Sequence, residues 1–489
     1  MIKQFLSKLP RKNPKPDSPT TFSSPLITEP SISGRRTSSA VFPANFDPLS
    51  SLKEAPASEK QSLLISKLNL CTLISHSSNS QPLNETDQEL RHQTLIEILD
   101  FVNLGSCKFN EQVMEALCNM ISAHIFRVLP PSIRSSTVFS PQSAMDIDED
   151  EPAMDPAWPY LQIVYDLLLK FVASSNTDPK AAKKYLDHSF VFRLLELFDS
   201  EDPREREALK KILHRIYGKF MVHRPFIRKT VSNIFYRFVF ETERHNGIAE
   251  LLEVLGSIIS GFALPLKEEH KMFLVRALIP LHKAKNIGAY LQQLSFSVIQ
   301  FVEKEPKLAG TVITGLLKYW PATNSQKEVM FLGELEEVLE VTNGVEFQRI
   351  MVPLCRRIAL CINSSHFQVA ERALFLWNNE HIVSLIAQNR QVILTLVYQA
   401  LERNTRSHWN QAVLNLTLNV RKMFSEMDEE LFQMFQSNYE EEEAKVKGVE
   451  EKRRLTWERL EAAAKSGPSD PAKNTAVLVT PLIICTPLC

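Results

Sequence analysis

Cys118 and His124 lie close together and are types that can serve as nucleophile and base, but their stretch is helical in pattern and mostly apolar, which favours a buried structural thiol. His366 and His381 have no Cys or His at metal-ligand spacing. The carboxylates of MDIDEDEP (145–152) could hold a cation, yet nothing frames them as a cage, and a solvated acidic loop fits better. There is no P-loop, GxSxG, HExxH, Rossmann glycine set or kinase-type Asp motif. Binding chemistry is better served. His214 and Tyr217 are spaced i,i+3, Val254 and Ile258 i,i+4, and Lys267 and His270 i,i+3, so each pair shares a helix face. If their helices stack side by side, aliphatic pockets at Val254 and Ile258 are rimmed by Arg215, Arg224, Arg228, Lys267 and the two histidines. Such a groove suits a short extended peptide with apolar anchors and a nearby carboxylate or phosphate. Amphipathic helices also produce solvated cations beside ordinary core, and spacing alone leaves both readings open.

The elements that would position these residues are legible from 190 to 271. Asp202 is an N-cap, Pro203 opens the helix, and Glu205 is expected to close a capping box. Leu209, Ile212, Leu213, Ile216 and Phe220 form one apolar stripe; Leu251, Leu252, Val254, Leu255 and Ile258 form the next. A third helix starts after Pro265 with Lys267 and His270 in its first turn. From about Lys60 the chain repeats this pattern, with breaks expected at Pro203, Pro265, Pro306, Pro321 and Pro353. Helix pairs at a period of about 40 residues indicate an all-α curved solenoid of HEAT-like or armadillo-like repeats over 57–425.

Outside that array, residues 1–56 read as a disordered, basic, Ser/Pro-rich tail. Within it, Ile2, Phe5, Leu6 and Leu9 face away from Lys3, Lys8, Arg11 and Lys12, as in a docking helix or a solubilising tail. Arg35-Arg36-Thr37-Ser38-Ser39 is a weak kinase-acceptor pattern. Residues 426–466 read as a charged helix with i,i+4 pairs such as Glu443 with Lys447, packed at one end through Trp457 and Leu460. Residues 467–489 read as a flexible, unexpectedly apolar tail.

The 489 residues exceed one compact core, and only 13 glycines favour helices. A net charge of -1 gives no whole-chain pull toward nucleic acid. Seven cysteines without a CxxC pair suit reduced thiols in a cytoplasmic or nuclear protein, and no apolar run reaches the roughly 18 residues of a membrane span.

Longer words carry a resemblance. FDSEDPRERE (198–207), LHRIYGKF (213–220), NIFYRF (233–238), HNGIAELLE (245–253), GFALPLKEEHK (261–271), KEVMFLGELEEVLE (327–340), HFQVAERAL (366–374) and LWNNE (376–380) closely resemble the B-prime regulatory subunits of protein phosphatase 2A, over about 60 to 465. The resemblance implies a solenoid without catalytic activity or cofactor of its own. It would contact a scaffold subunit and a catalytic subunit and choose substrates by capturing a Leu-x-x-Ile-x-Glu peptide. By matching words, the peptide-binding residues would be His214, Arg215, Tyr217, Arg224, Arg228, Val254, Ile258, Lys267 and His270, with Glu253 facing basic ligand residues. Val254, Ile258 and Tyr217 would wall the Leu and Ile pockets, and Lys267, Arg224 and His214 would take the acid. Two departures stand out: Val254 where many members carry Ile, and Ile74-Ser75-His76 in place of an aromatic-Asp-aromatic step. The competing reading is a stand-alone helical-repeat scaffold or transport adaptor.

Overall fold

The computed structural model describes residues 49–56, 58–78, 85–105, 107–129 and 154–466. Among these there are α-helices and short 3-10 or π turns, and no strand. The readings made for residues 1–48, for the acidic loop 145–152 and for 467–489 lie outside the described residues.

The chain begins with α1 (Lys60–Ser78), α2 (Glu85–Asn103), α3 (Glu111–Ile125) and α4 (Trp158–Ala173). It continues through α5 (Pro179–Ala182), α6 (His188–Glu196), α7 (Pro203–Lys219), α8 (Arg224–Arg237), α9 (Ile248–Ser260) and α10 (Glu268–Phe273). Next come α11 (Leu291–Lys304), α12 (Ala309–Lys318), α13 (Ser325–Glu340), α14 (Gly344–Ile362) and α15 (Phe367–Leu374). The last are α16 (Glu380–Gln388), α17 (Arg390–Ser407), α18 (Gln411–Met427) and α19 (Glu429–Ser466).

The helices pack in two rows, as expected of an all-α solenoid. One row runs α4, α7, α9, α11, α13, α15, α18, each against the next; α12, α14, α17 and α19 continue the other. Side chains stitch the row at close to the repeat period. Arg206 donates to Glu250, 44 residues away; Ser297 Oγ to the Leu252 carbonyl, 45 away; Lys327 Nζ to the Ala284 carbonyl, 43 away. Helix starts are set by short polar side chains: Asn110, Asp187, Asp202, Asn324, Asn343 and Asn410 each accept an otherwise orphan amide from the following turn.

Four local expectations change. Glu205 does not close a capping box on Asp202. It is fully buried and accepts from Arg127 (2.7 and 2.9 Å) and the Tyr165 hydroxyl (2.6 Å). A buried carboxylate needs partners across the fold more than a local amide does. Pro353 does not break the chain: it sits inside α14, whose stripe of Ile350, Leu354, Cys355 and Ile358 is buried against α12 and α17. Packing of that stripe outweighs one lost helical hydrogen bond. Residues 51–52, read with the tail, are anchored: the Leu52 side chain is buried and its amide donates to Glu97. Finally, Trp457 and Leu460 do not pack; they are 64% and 55% exposed. The helix is held instead near its start, where Phe432, Phe435 and Tyr439 gather around Tyr398.

Candidate functional site

Tyr217 lies near the end of α7, Arg224 and Arg228 in the first turns of α8, Val254 and Ile258 on α9, and Lys267 and His270 at the start of α10. Since α7 and α9 are neighbours in one row, the loops 220–223 and 261–267 bring the starts of α8 and α10 to the same edge. Hydrogen bonds draw the set together. Arg228 donates one terminal nitrogen to the Tyr217 hydroxyl at 3.0 Å and another to Glu269 at 2.8 Å. His270 Nε2 is 3.4 Å from the same carboxylate, and its backbone amide donates to the Lys267 carbonyl at 2.9 Å.

Each predicted residue has a distinct environment. Arg224 donates to the Tyr217 and Gly218 carbonyls at 2.9 and 3.0 Å and lies over the Tyr217 ring, so it caps α7. His214, Arg215 and Lys267 are exposed, and no ion pair engages them among the described residues. Tyr217, Val254 and Ile258 are buried, with 8%, 3% and 6% of their surface exposed, so Val254 and Ile258 leave little side-chain surface open as pockets. His270 is also buried and stacks on Phe262, ring centroids 3.8 Å apart. Burial foremost, then the Arg228 and Lys267 cations, hold its imidazole below the usual histidine range, against the pull of Glu269.

The edge therefore gathers cations beside the buried Tyr217. It can accept a carboxylate or phosphate by charge-assisted hydrogen bonds, and it has no nucleophile or paired general acid and base. Glu253 is already engaged, by Lys210, and lines an open cavity of about 960 Å³ between α9, α11 and α13 with Phe296, Met330 and Glu337. Two residues escaped the sequence reading. Glu269 occupies Arg228, and Phe262 supports His270; both lie inside GFALPLKEEHK, and Glu269 directly precedes His270 in the first turn of α10. Elsewhere, Cys118 is buried and its thiol is pushed up to about 12 by desolvation, while His124 Nδ1 lies 2.6 Å from the Met120 carbonyl. Among the described residues no group of three His, Cys, Asp or Glu could hold a metal, and no helix is long and apolar enough to cross a membrane.

Residues 49–464 match the family described as protein phosphatase 2A regulatory B subunit (B56 family). The chain belongs to the B56 family. It is 58% identical to the B' kappa isoform of the 57 kDa regulatory subunit of serine/threonine protein phosphatase 2A from Arabidopsis thaliana, over 98% of this chain and 99% of the relative. The kappa isoform of Oryza sativa subsp. japonica is 56% identical, covering 98% of each chain. The B' beta isoform of Arabidopsis thaliana is 62% identical over 86% of this chain and 83% of its own length. This B56 chain is accordingly a non-catalytic, regulatory protein.

Proposed function

We propose that this B56 chain joins a phosphatase scaffold subunit and a catalytic subunit, and selects substrates by holding a Leu-x-x-Ile-x-Glu segment along the α7–α10 edge. The supporting observation is the meeting of Arg228, Tyr217, Glu269, His270 and Lys267 at one place, with Val254 and Ile258 buried on the neighbouring α9. The peptide's Leu and Ile would settle on Tyr217, Val254 and Ile258. Its Glu would pair with the exposed Lys267 and compete for Arg228, with His214 and Arg215 free to meet acids between the anchors.

Two measurements test this reading. Titration calorimetry of a Leu-x-x-Ile-x-Glu peptide should give one site, lost in Lys267→Glu with helicity unchanged; retained binding in that variant refutes the groove. Affinity purification of the tagged chain should recover a scaffold and a phosphatase catalytic subunit in near-equal amounts. Recovery of neither would favour a stand-alone helical scaffold. Imaging of the tagged chain should place it in the cytoplasm or nucleus.

A further inference from the structure

A second cationic feature lies at the other end of the array, where α2 packs on α4. Arg91 of α2 places its guanidinium 3.9 Å from the centre of the Tyr160 ring on α4. Its Nε is shielded from solvent with no hydrogen-bond partner, and so is the Tyr160 hydroxyl. No ion pair engages Arg91 among the described residues, although some Lys and Arg elsewhere in the array are paired. Lys67, for example, meets Glu97 at 2.6 Å. Two carboxylates nearby are committed elsewhere: Glu89 accepts from Gln93, and Asp155 accepts from Arg127 and from the Ala157 amide. Asp87, one turn before Arg91 on α2, makes no ion pair among the described residues.

Arg91, His92 and Gln88 on one side and Pro156, Pro159 and Tyr160 on the other line an open cavity of about 420 Å³. The α4 helix begins beside it; its N-cap residue Ala157 provides no side-chain cap, and the Asp155 carboxylate accepts the Ala157 amide instead. Burying a guanidinium without a counter-charge is costly, and burial does depress the ionisation of Arg91. The flat face of the guanidinium is held by the Tyr160 ring and its Nε is shielded, which leaves the terminal N–H groups as the donors for an oxyanion.

We propose that this cavity between α2 and α4 is an oxyanion site that takes a phosphate monoester, with Arg91 as the donor fork and Tyr160 as its platform. The site is separate from the α7–α10 edge and does not depend on it. The test is titration calorimetry of the full chain at low ionic strength with inorganic phosphate, O-phospho-L-serine and acetate as separate probes. One equivalent of O-phospho-L-serine should bind. Arg91→Gln should weaken it by about tenfold or more, as expected for loss of a charge-assisted donor, with unchanged helicity. Arg91→Lys, which keeps the charge and loses the fork, should fall between. No binding at millimolar probe, equal binding by Arg91→Gln, or acetate binding as well as O-phospho-L-serine would each overturn the proposal.

Discussion

In the groove proposed above, Glu269 would be an internal competitor for the position that a ligand's acid needs, and replacing it with Gln would remove the competitor without changing its size. In the free chain its carboxylate sits 2.8 Å from Arg228 Nη2. Arg228 is 17% exposed and Glu269 54% exposed, so the pair is screened on one side. Exposed pairs of this kind contribute at most about 1 kcal/mol, and an incoming carboxylate must displace that contact first. Glu269→Gln should therefore tighten binding of a Leu-x-x-Ile-x-Glu peptide by up to about fivefold. The same variant removes a negative charge from beside His270, whose imidazole is already held low by burial and by the Arg228 and Lys267 cations, so His270 stays neutral near pH 7. Calorimetry at about 0.15 M salt should show the gain, and raising the salt should shrink it as screening weakens the pair. Unchanged or weaker binding in Glu269→Gln would refute the competition.

Three further outcomes follow from the packing. His282 is buried with Nε2 at 2.9 and 3.0 Å from both Glu334 oxygens; burial pushes its imidazole down, but the Glu334 carboxylate more than offsets this and the net shift is upward. Its stabilisation is thus complete below the ordinary histidine range and is lost as pH rises through the raised pKa; a urea midpoint followed against pH should fall on that side in the wild type. His282→Leu alone should cost about 3–5 kcal/mol by stranding Glu334, and His282→Leu with Glu334→Leu should recover much of it in the same denaturation assay. Arg127→Met should likewise destabilise by about 3–5 kcal/mol, read by urea unfolding, because Glu205 is fully buried and keeps only the Tyr165 hydroxyl. Among the described residues, truncation after Lys445 removes only exposed side chains, so the thermal midpoint should move by no more than about 1 °C in calorimetry.

The sequence made the helices readable because their information is local. Asp202-Pro203 announces a start, and Leu209 to Phe220 announces a buried face at one period. What it concealed depends on distant partners. Glu205 looks like a capping-box residue until Arg127, 78 residues away, and Tyr165 are brought to it. Trp457 and Leu460 look like packing residues, yet side chains 444–465 are all exposed, and Tyr398 takes Phe432, Phe435 and Tyr439 instead. At the candidate site the same limit holds. Residue types and spacing nominate Tyr217, Arg228, Lys267 and His270, but only the stacking of α7 on α9 and of their following helices makes them one surface. Glu269 was hidden because its charge is opposite to that of the set it joins.

The period-length stitches between successive helix pairs make each junction a hinge loaded by its own few contacts, and the α7–α10 edge straddles one such hinge. Arg228 reaches from one pair to Glu269 of the next, so anything seated there would act as a strut across the joint. A peptide bound at that edge would be felt as stiffness along the array, and a partner that flexes the array would in turn widen or pinch the seat.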